Sequence, residues 1–138
     1  MDTISFVKTT VTGPCNNYTA AKIIINGEDF KQDIEKLHIL TYNYQYADWL
    51  YKRLSDPQEK IDDHFHPDVA IFTCLCTVDE CGGFYCKVTT TDDKVIWSDF
   101  HTSSRTNHYE SMSPLRFDKS AYMVTLEHLK TFTQEDEQ

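Results

Sequence analysis

Hydrophobic and polar residues alternate along much of the second half of the chain, a pattern typical of β-strands with one buried face. Three such runs cover residues 69–77, 84–90 and 94–100, separated by Gly82-Gly83 and by the polar residues 91–93. Strands joined by short connections pair with their neighbours in antiparallel order. The pattern therefore predicts an antiparallel meander from residue 69 to residue 100.

The first half of the chain mixes strand and helix patterns. Residues 4–11 and 21–25 are rich in β-branched side chains and predict two strands. Phe30, Ile34 and Leu37 follow at the spacing of one helical face and predict a helix. Two element types in close succession favour the α+β class.

Two further helices are predicted, although the aromatic residues within 41–54 also suit a strand. Asn26-Gly27 is read as a turn that leads directly into the first helix, although this dipeptide also suits a hairpin. A second helix is expected over residues 44–54, before Pro57. Asp118 is expected to cap the last helix. The buried stripe of this last helix is predicted to contain Tyr122, Leu126 and Leu129.

Together these elements predict one α+β domain over residues 1–138. Its antiparallel β-sheet should contain about five to six strands and be packed by two to three helices. The 138 residues are enough to bury roughly two-thirds of the unfolded chain's surface. Trp97 and Tyr122 are expected in the core, and the acidic tail at 134–138 is expected to fray.

Composition and charge narrow the choice of partner. The net charge of −9 disfavours binding to the phosphates of nucleic acids and favours a basic protein partner. No run approaches the roughly 20 apolar residues of a membrane helix, and residues 1–12 do not resemble a signal peptide. We therefore expect a cytoplasmic protein that binds neither nucleic acid nor membrane.

Four of the five cysteines fall within thirteen positions. Cys74, Cys76, Cys81 and Cys86 lie on or beside two predicted strands and could supply four thiolates to a structural zinc ion. The Cys-x-Cys spacing differs from the usual Cys-x-x-Cys knuckle. Buried core thiols and a disulfide or redox pair therefore remain open alternatives.

The histidines offer a weaker indication of a metal site. His64 and His66 lie in the polar segment before the cysteine strand, and His101 and His108 lie in a predicted loop over residues 101–113. Imidazole binds several metal ions, but most loop histidines face solvent. We expect these four to be exposed.

No established catalytic motif is present, so the leading hypothesis is a non-catalytic acidic protein-binding module. An immunity-type protein that neutralises a basic toxin domain is the most concrete form of it. Asp62, Asp63, Asp79 and Glu80 are the predicted contacts. The alternatives are a small zinc-binding domain that uses the four cysteines and an enzyme of unknown class.

Four separated segments carry a resemblance to a known group. They are residues 23–27, 74–83, 94–100 and 117–122. The chain resembles a group of small bacterial proteins of unassigned function, which share a Cys-x-Cys strand, a Val-x-Trp-Ser strand and a C-terminal Phe-Asp-x-x-x-Tyr helix. The group has glycines at the positions of Thr77 and Glu80 and lacks a counterpart of Cys86. The resemblance implies a common fold and no particular activity.

Overall fold

The computed structural model describes residues 1–12, 17–37, 42–56, 68–74, 83–102 and 112–134. Within these residues the chain forms eight strands and three helices. In chain order they are β1 (Ile4–Thr12), β2 (Asn17–Ile25), β3 (Glu28–Asp29), α1 (Phe30–Leu37), β4 (Tyr42–Tyr44), α2 (Ala47–Ser55), β5 (Val69–Cys74), β6 (Gly83–Thr90), β7 (Lys94–Thr102), β8 (Leu115–Asp118) and α3 (Lys119–Gln134).

The strands form two antiparallel sheets. One has the order β1-β2-β3, and the other has the order β4-β5-β6-β7-β8. The second sheet contains the predicted meander, so the α+β class and the antiparallel pairing are confirmed. The structure has more strands than the expected five to six. The additional strands are β3, β4 and β8, which contain only two, three and four residues. Segments of that length are too short to show an alternating pattern.

Two isolated bridges connect the three-stranded sheet to the five-stranded sheet, one beside each edge strand of the latter, β4 and β8. Ala20 of β2 pairs with Tyr46, and Asp2 pairs in parallel with Phe117 of β8. The backbone N–H of Asp2 donates to the carbonyl of Arg116 at 2.9 Å, and the Arg116 N–H donates to the Asp2 carboxylate at 2.9 Å. This second hydrogen bond is the main reason why the pKa of Asp2 is lowered.

The Asn26-Gly27 turn differs from the sequence prediction. Asn26 and Gly27 have φ values of 53° and 86°, and Ile25 pairs with Glu28 across them. Positive φ at both central residues is the geometry of a tight hairpin, which Asn-Gly favours. The hairpin therefore forms, and the short strand β3 precedes α1. Ile34 of α1 is fully buried, as predicted.

The second helix begins three residues later than expected. Residues 42–44 pair with β5 as strand β4, and α2 starts at Ala47. The aromatic residues at 42–46 suit either structure, and pairing with a buried strand decides between them. Leu50 and Leu54 are buried, as their spacing indicated. Arg53 is also buried, with its guanidinium carbon 6.0 Å from the centre of the Trp49 ring.

The main core contains side chains from both sheets and all three helices. Trp97 is fully buried, and its indole N–H donates to the hydroxyl of Tyr122 at 3.1 Å. Leu126 and Leu129 extend the same helical stripe into the core. The Asp118 carboxylate accepts the backbone N–H of Ala121 at 3.0 Å, which caps α3. The predicted core residues and the cap are confirmed.

A β-bulge interrupts the pairing of β6 with β7. Tyr85 pairs with His101 and Lys87 pairs with Ser98, so Cys86 faces two residues, Asp99 and Phe100. Asp99 has a φ of 53°, a left-handed conformation that Asp tolerates better than most residues. The extra residue reverses the alternation beyond it. Phe100 therefore packs in the core on the same side as Trp97, although strict alternation predicts the opposite face.

Candidate functional site

Three side chains that can bind metal ions meet beside this bulge. They belong to Asp68, Asp99 and His101, and one ligand atom from each lies within 4.8 Å of the other two. Asp68 directly precedes β5, and the other two belong to β7. We call these three residues the Asp-Asp-His cluster.

The cluster lies on the sheet face that points away from the main core. Cys86 of β6 packs in that core, so its neighbours Tyr85 and Lys87 point to the opposite face. His101 pairs with Tyr85, and paired residues share a face. The two rings stack with their centroids 5.6 Å apart. Without the bulge, alternation would place His101 on the core side with Trp97.

The imidazole is the deepest part of the cluster. His101 is only 1% exposed, and its Nε2 atom lies 2.6 Å from Oδ2 of Asp68 in a hydrogen bond. The Asp68 side chain is 15% exposed, and Asp99 is exposed. The cluster therefore combines a buried nitrogen ligand, a half-buried carboxylate and a carboxylate that reaches solvent.

Two kinds of chemistry suit such a cluster. One imidazole nitrogen with carboxylate oxygens is a common ligand set for zinc and other first-row transition metals. A carboxylate hydrogen-bonded to a histidine can also orient that ring for proton transfer. Both need the geometry seen here, in which the imidazole is held in place by one acidic neighbour and by Tyr85.

The predicted cysteine site is described only in part. Cys86 is a free, fully buried thiol on the core face, and burial, together with the nearby charge of Asp68, raises its pKa. It lies opposite Val69, at the start of β5, whereas Cys74 ends that strand. The five-residue step along β5 from Val69 to Cys74 spans about 16 Å.

That spacing bears on the four-cysteine prediction. Sulfurs that bind one zinc ion at about 2.3 Å lie only about 4 Å from one another. The register of β5 and β6 therefore gives no support to a site that Cys86 and Cys74 share. Cys76 and Cys81 lie outside the described residues, so a zinc site that includes them stays a prediction.

The predicted partner contacts also lie outside the described residues. They are Asp62, Asp63, Asp79 and Glu80. The structure nevertheless shows where their segments join the fold. Residues 57–67 connect α2 to Asp68 and the start of β5, and residues 75–82 connect the end of β5 to β6.

The prediction for His101 was wrong. It was expected in an exposed loop, but β7 continues to Thr102, and His101 is buried. The strand pattern was lost at Asp99 because the bulge inserts one residue. His64, His66 and His108 lie outside the described residues.

Sequence reasoning also missed Asp68 and Asp99. The only signal was an Asp-x-His pair near the end of a predicted strand, and regular alternation would have placed that pair on the core face.

Comparisons with known proteins identified no relative. No family model, curated protein or solved structure matches this chain. The resemblance to a bacterial group therefore stays a prediction. Among the described residues, no helix combines the length and the apolar character that crossing a membrane would need.

Proposed function

We propose that the protein is a non-catalytic binding module of the immunity type, which acts in the cytoplasm by covering a basic surface on a toxin domain. The distribution of charge along the chain carries this proposal. Residues 57–67, 75–82, 103–111 and 135–138 contain nine acidic and two basic side chains. These four segments therefore account for −7 of the net charge of −9.

The remainder of the chain is nearly neutral. This remainder includes every residue of the two sheets and three helices. It contains thirteen acidic and eleven basic residues. Unbalanced charge creates a long-range field, whereas interspersed charges largely cancel at a distance. The attraction for a basic partner is accordingly concentrated in residues 57–67, 75–82 and 135–138, because the acidic and basic side chains of residues 103–111 balance.

Two of the four segments are attached to the same end of the five-stranded sheet. Thr73 pairs with Gly83, and Phe84 pairs with Thr102. Residues 75–82 and 103–111 therefore leave the five-stranded sheet at the same end. Residues 57–67 enter at the other end of β5. Along the chain, the proposed contacts Asp62 and Asp63 precede β5, and Asp79 and Glu80 follow it.

The experiment begins with a pull-down from the native host and purification of any stoichiometric partner. Association rates are then measured at several ionic strengths for the unmodified chain and a quadruple variant. That variant carries Asp62→Asn, Asp63→Asn, Asp79→Asn and Glu80→Gln. We expect association at low ionic strength to slow at least about tenfold, and its salt dependence to flatten, because charge steers the encounter.

A second quadruple variant controls for net charge. It neutralises four exposed carboxylates of the described fold through Glu28→Gln, Asp56→Asn, Asp92→Asn and Glu127→Gln. Both variants have a formal charge of −5, so a location-specific effect should appear only in the first. Recovery of no stoichiometric partner, or equal slowing in both variants, would contradict the proposal.

A further inference from the structure

The geometry points to a binding site for one divalent transition-metal ion at the Asp-Asp-His cluster, with zinc as the form to be tested. The ligand atoms of Asp68, Asp99 and His101 all lie within 4.8 Å of one another. Two ligands of one metal ion, each bound at about 2.1 Å, lie no more than about 4.2 Å apart. The three side chains therefore need only small movements to converge on one ion.

The ligand types select the class of metal. Magnesium and calcium prefer oxygen ligands throughout, whereas imidazole favours zinc and its first-row neighbours. Three protein ligands leave at least one coordination position for water or another small ligand. Because Asp99 is exposed while His101 is buried, that position lies towards solvent.

The hydrogen bond between His101 and Asp68 is compatible with this role. Their contacting atoms are 2.6 Å apart, and the corresponding ligand atoms around tetrahedral zinc would be about 3.3 Å apart. Zinc binding would release the proton of this hydrogen bond to solvent and separate the two atoms by less than about 1 Å. The stacked Tyr85 ring would continue to hold the imidazole plane.

A purely structural ion pair would need only Asp68 and His101. The third group, Asp99, is brought beside them by a bulge in a left-handed conformation that costs about 1 kcal/mol or more. Its carboxylate adds a second oxygen ligand to the nitrogen and oxygen of the pair, and all three atoms lie within 4.8 Å of one another. A metal ion explains why all three groups converge, and this inference does not depend on the proposed protein-binding function.

Isothermal titration with zinc sulfate tests the site in the full chain after chelator treatment. The informative variant is Asp99→Asn, because Asn tolerates positive φ and keeps the shape of the side chain. Asp92→Asn, an exposed carboxylate in the turn between β6 and β7, is the matched control. We expect one zinc ion per chain, affinity at least about tenfold weaker in Asp99→Asn, and unchanged affinity in the control.

Cobalt substitution distinguishes this site from the cysteines. Cobalt bound by nitrogen and oxygen lacks the near-ultraviolet charge-transfer absorption that thiolate ligands produce. We expect no such absorption, and unchanged zinc affinity in the double variant Cys76→Ser/Cys81→Ser. Absence of saturable zinc binding, retention of full affinity in Asp99→Asn, or thiolate absorption would each overturn the inference.

Discussion

Both faces of the five-stranded sheet contain fully buried side chains, but the chemistry of those side chains differs. On the core face, Trp97 and Phe117 pack edge to face with their centroids 5.4 Å apart. On the opposite face, His101 is as inaccessible as these rings, yet its ring contacts a carboxylate. One strand, β7, supplies residues to both environments.

This difference shows that the burial of a side chain does not by itself indicate what that side chain contributes to stability. Burial of apolar surface stabilises the fold by about 25 cal/mol per Å². Burial of a polar group costs free energy unless a partner satisfies it. Trp97 is therefore explained by the fold itself, whereas His101 calls for a local reason for its position.

The largest expected effect is on the core face. Trp97→Ala should lower the free energy of unfolding by about 3 to 5 kcal/mol, because it removes the largest buried side chain and leaves a cavity. Ile96→Ala, at the half-exposed neighbouring position, is the control and should cost about 1 kcal/mol. Urea denaturation measures both. Similar losses would contradict the assignment of the two faces.

The next effect concerns the opposite face. His101→Ala should cost about 2 to 3 kcal/mol, because it removes a buried ring and the hydrogen bond between that ring and Asp68. A double-mutant cycle with Asp68→Ala separates the pair energy from the packing loss. If the two losses simply add, the hydrogen bond does not contribute to stability.

A smaller loss is expected when one polar contact in the core is removed. Tyr122→Phe keeps the ring but leaves the Trp97 indole N–H without the acceptor it now has, which should cost about 2 kcal/mol. Tyr51→Phe, at a half-exposed position on α2, should change stability by less than about 0.5 kcal/mol. Chemical denaturation of the two variants checks the difference.

The smallest effect is a dependence on alkaline pH. Burial raises the pKa of Cys86 well above its ordinary value of 9.0 and also raises that of Tyr122. Above pH 9 the unfolded chain loses the Cys86 proton while the folded chain keeps it, so stability falls as pH rises. The loss should be about 1.4 kcal/mol per pH unit, with Tyr122 adding to it above pH 10.

The variant Cys86→Ala provides the control for this dependence. Its unfolding free energy, measured from pH 8 to pH 10, should decline less steeply than that of the unmodified chain. Equal slopes would show that the Cys86 thiol does not carry the effect.

The sequence was sufficient for features that follow a regular period. Strand alternation located Trp97 in the core, helical spacing located Leu126 and Leu129, and Asp118 was recognised as a cap. Each depends on neighbours within one turn or one strand, and such local rules are visible in a single chain.

The Asp-Asp-His cluster could not be predicted in the same way. It depends on one extra residue in β7, which changes the face on which His101 lies, and on Asp68, which is more than thirty positions away. Neither a bulge nor a contact between the start of β5 and β7, with β6 between them, leaves a periodic signal. The short strand β4 was missed for a related reason, since only pairing with β5 distinguishes it from a helix.

The bridge between Asp2 and Phe117 has a consequence for synthesis of the protein. Asp2, which lies just before β1, cannot pair with β8 until more than a hundred further residues have left the ribosome. Contacts between residues so distant along a chain slow folding, because ordering the intervening segment comes first. During translation β1 can therefore pair with β2 while Asp2 still lacks its pairing with β8, and a delay late in the message would prolong that state.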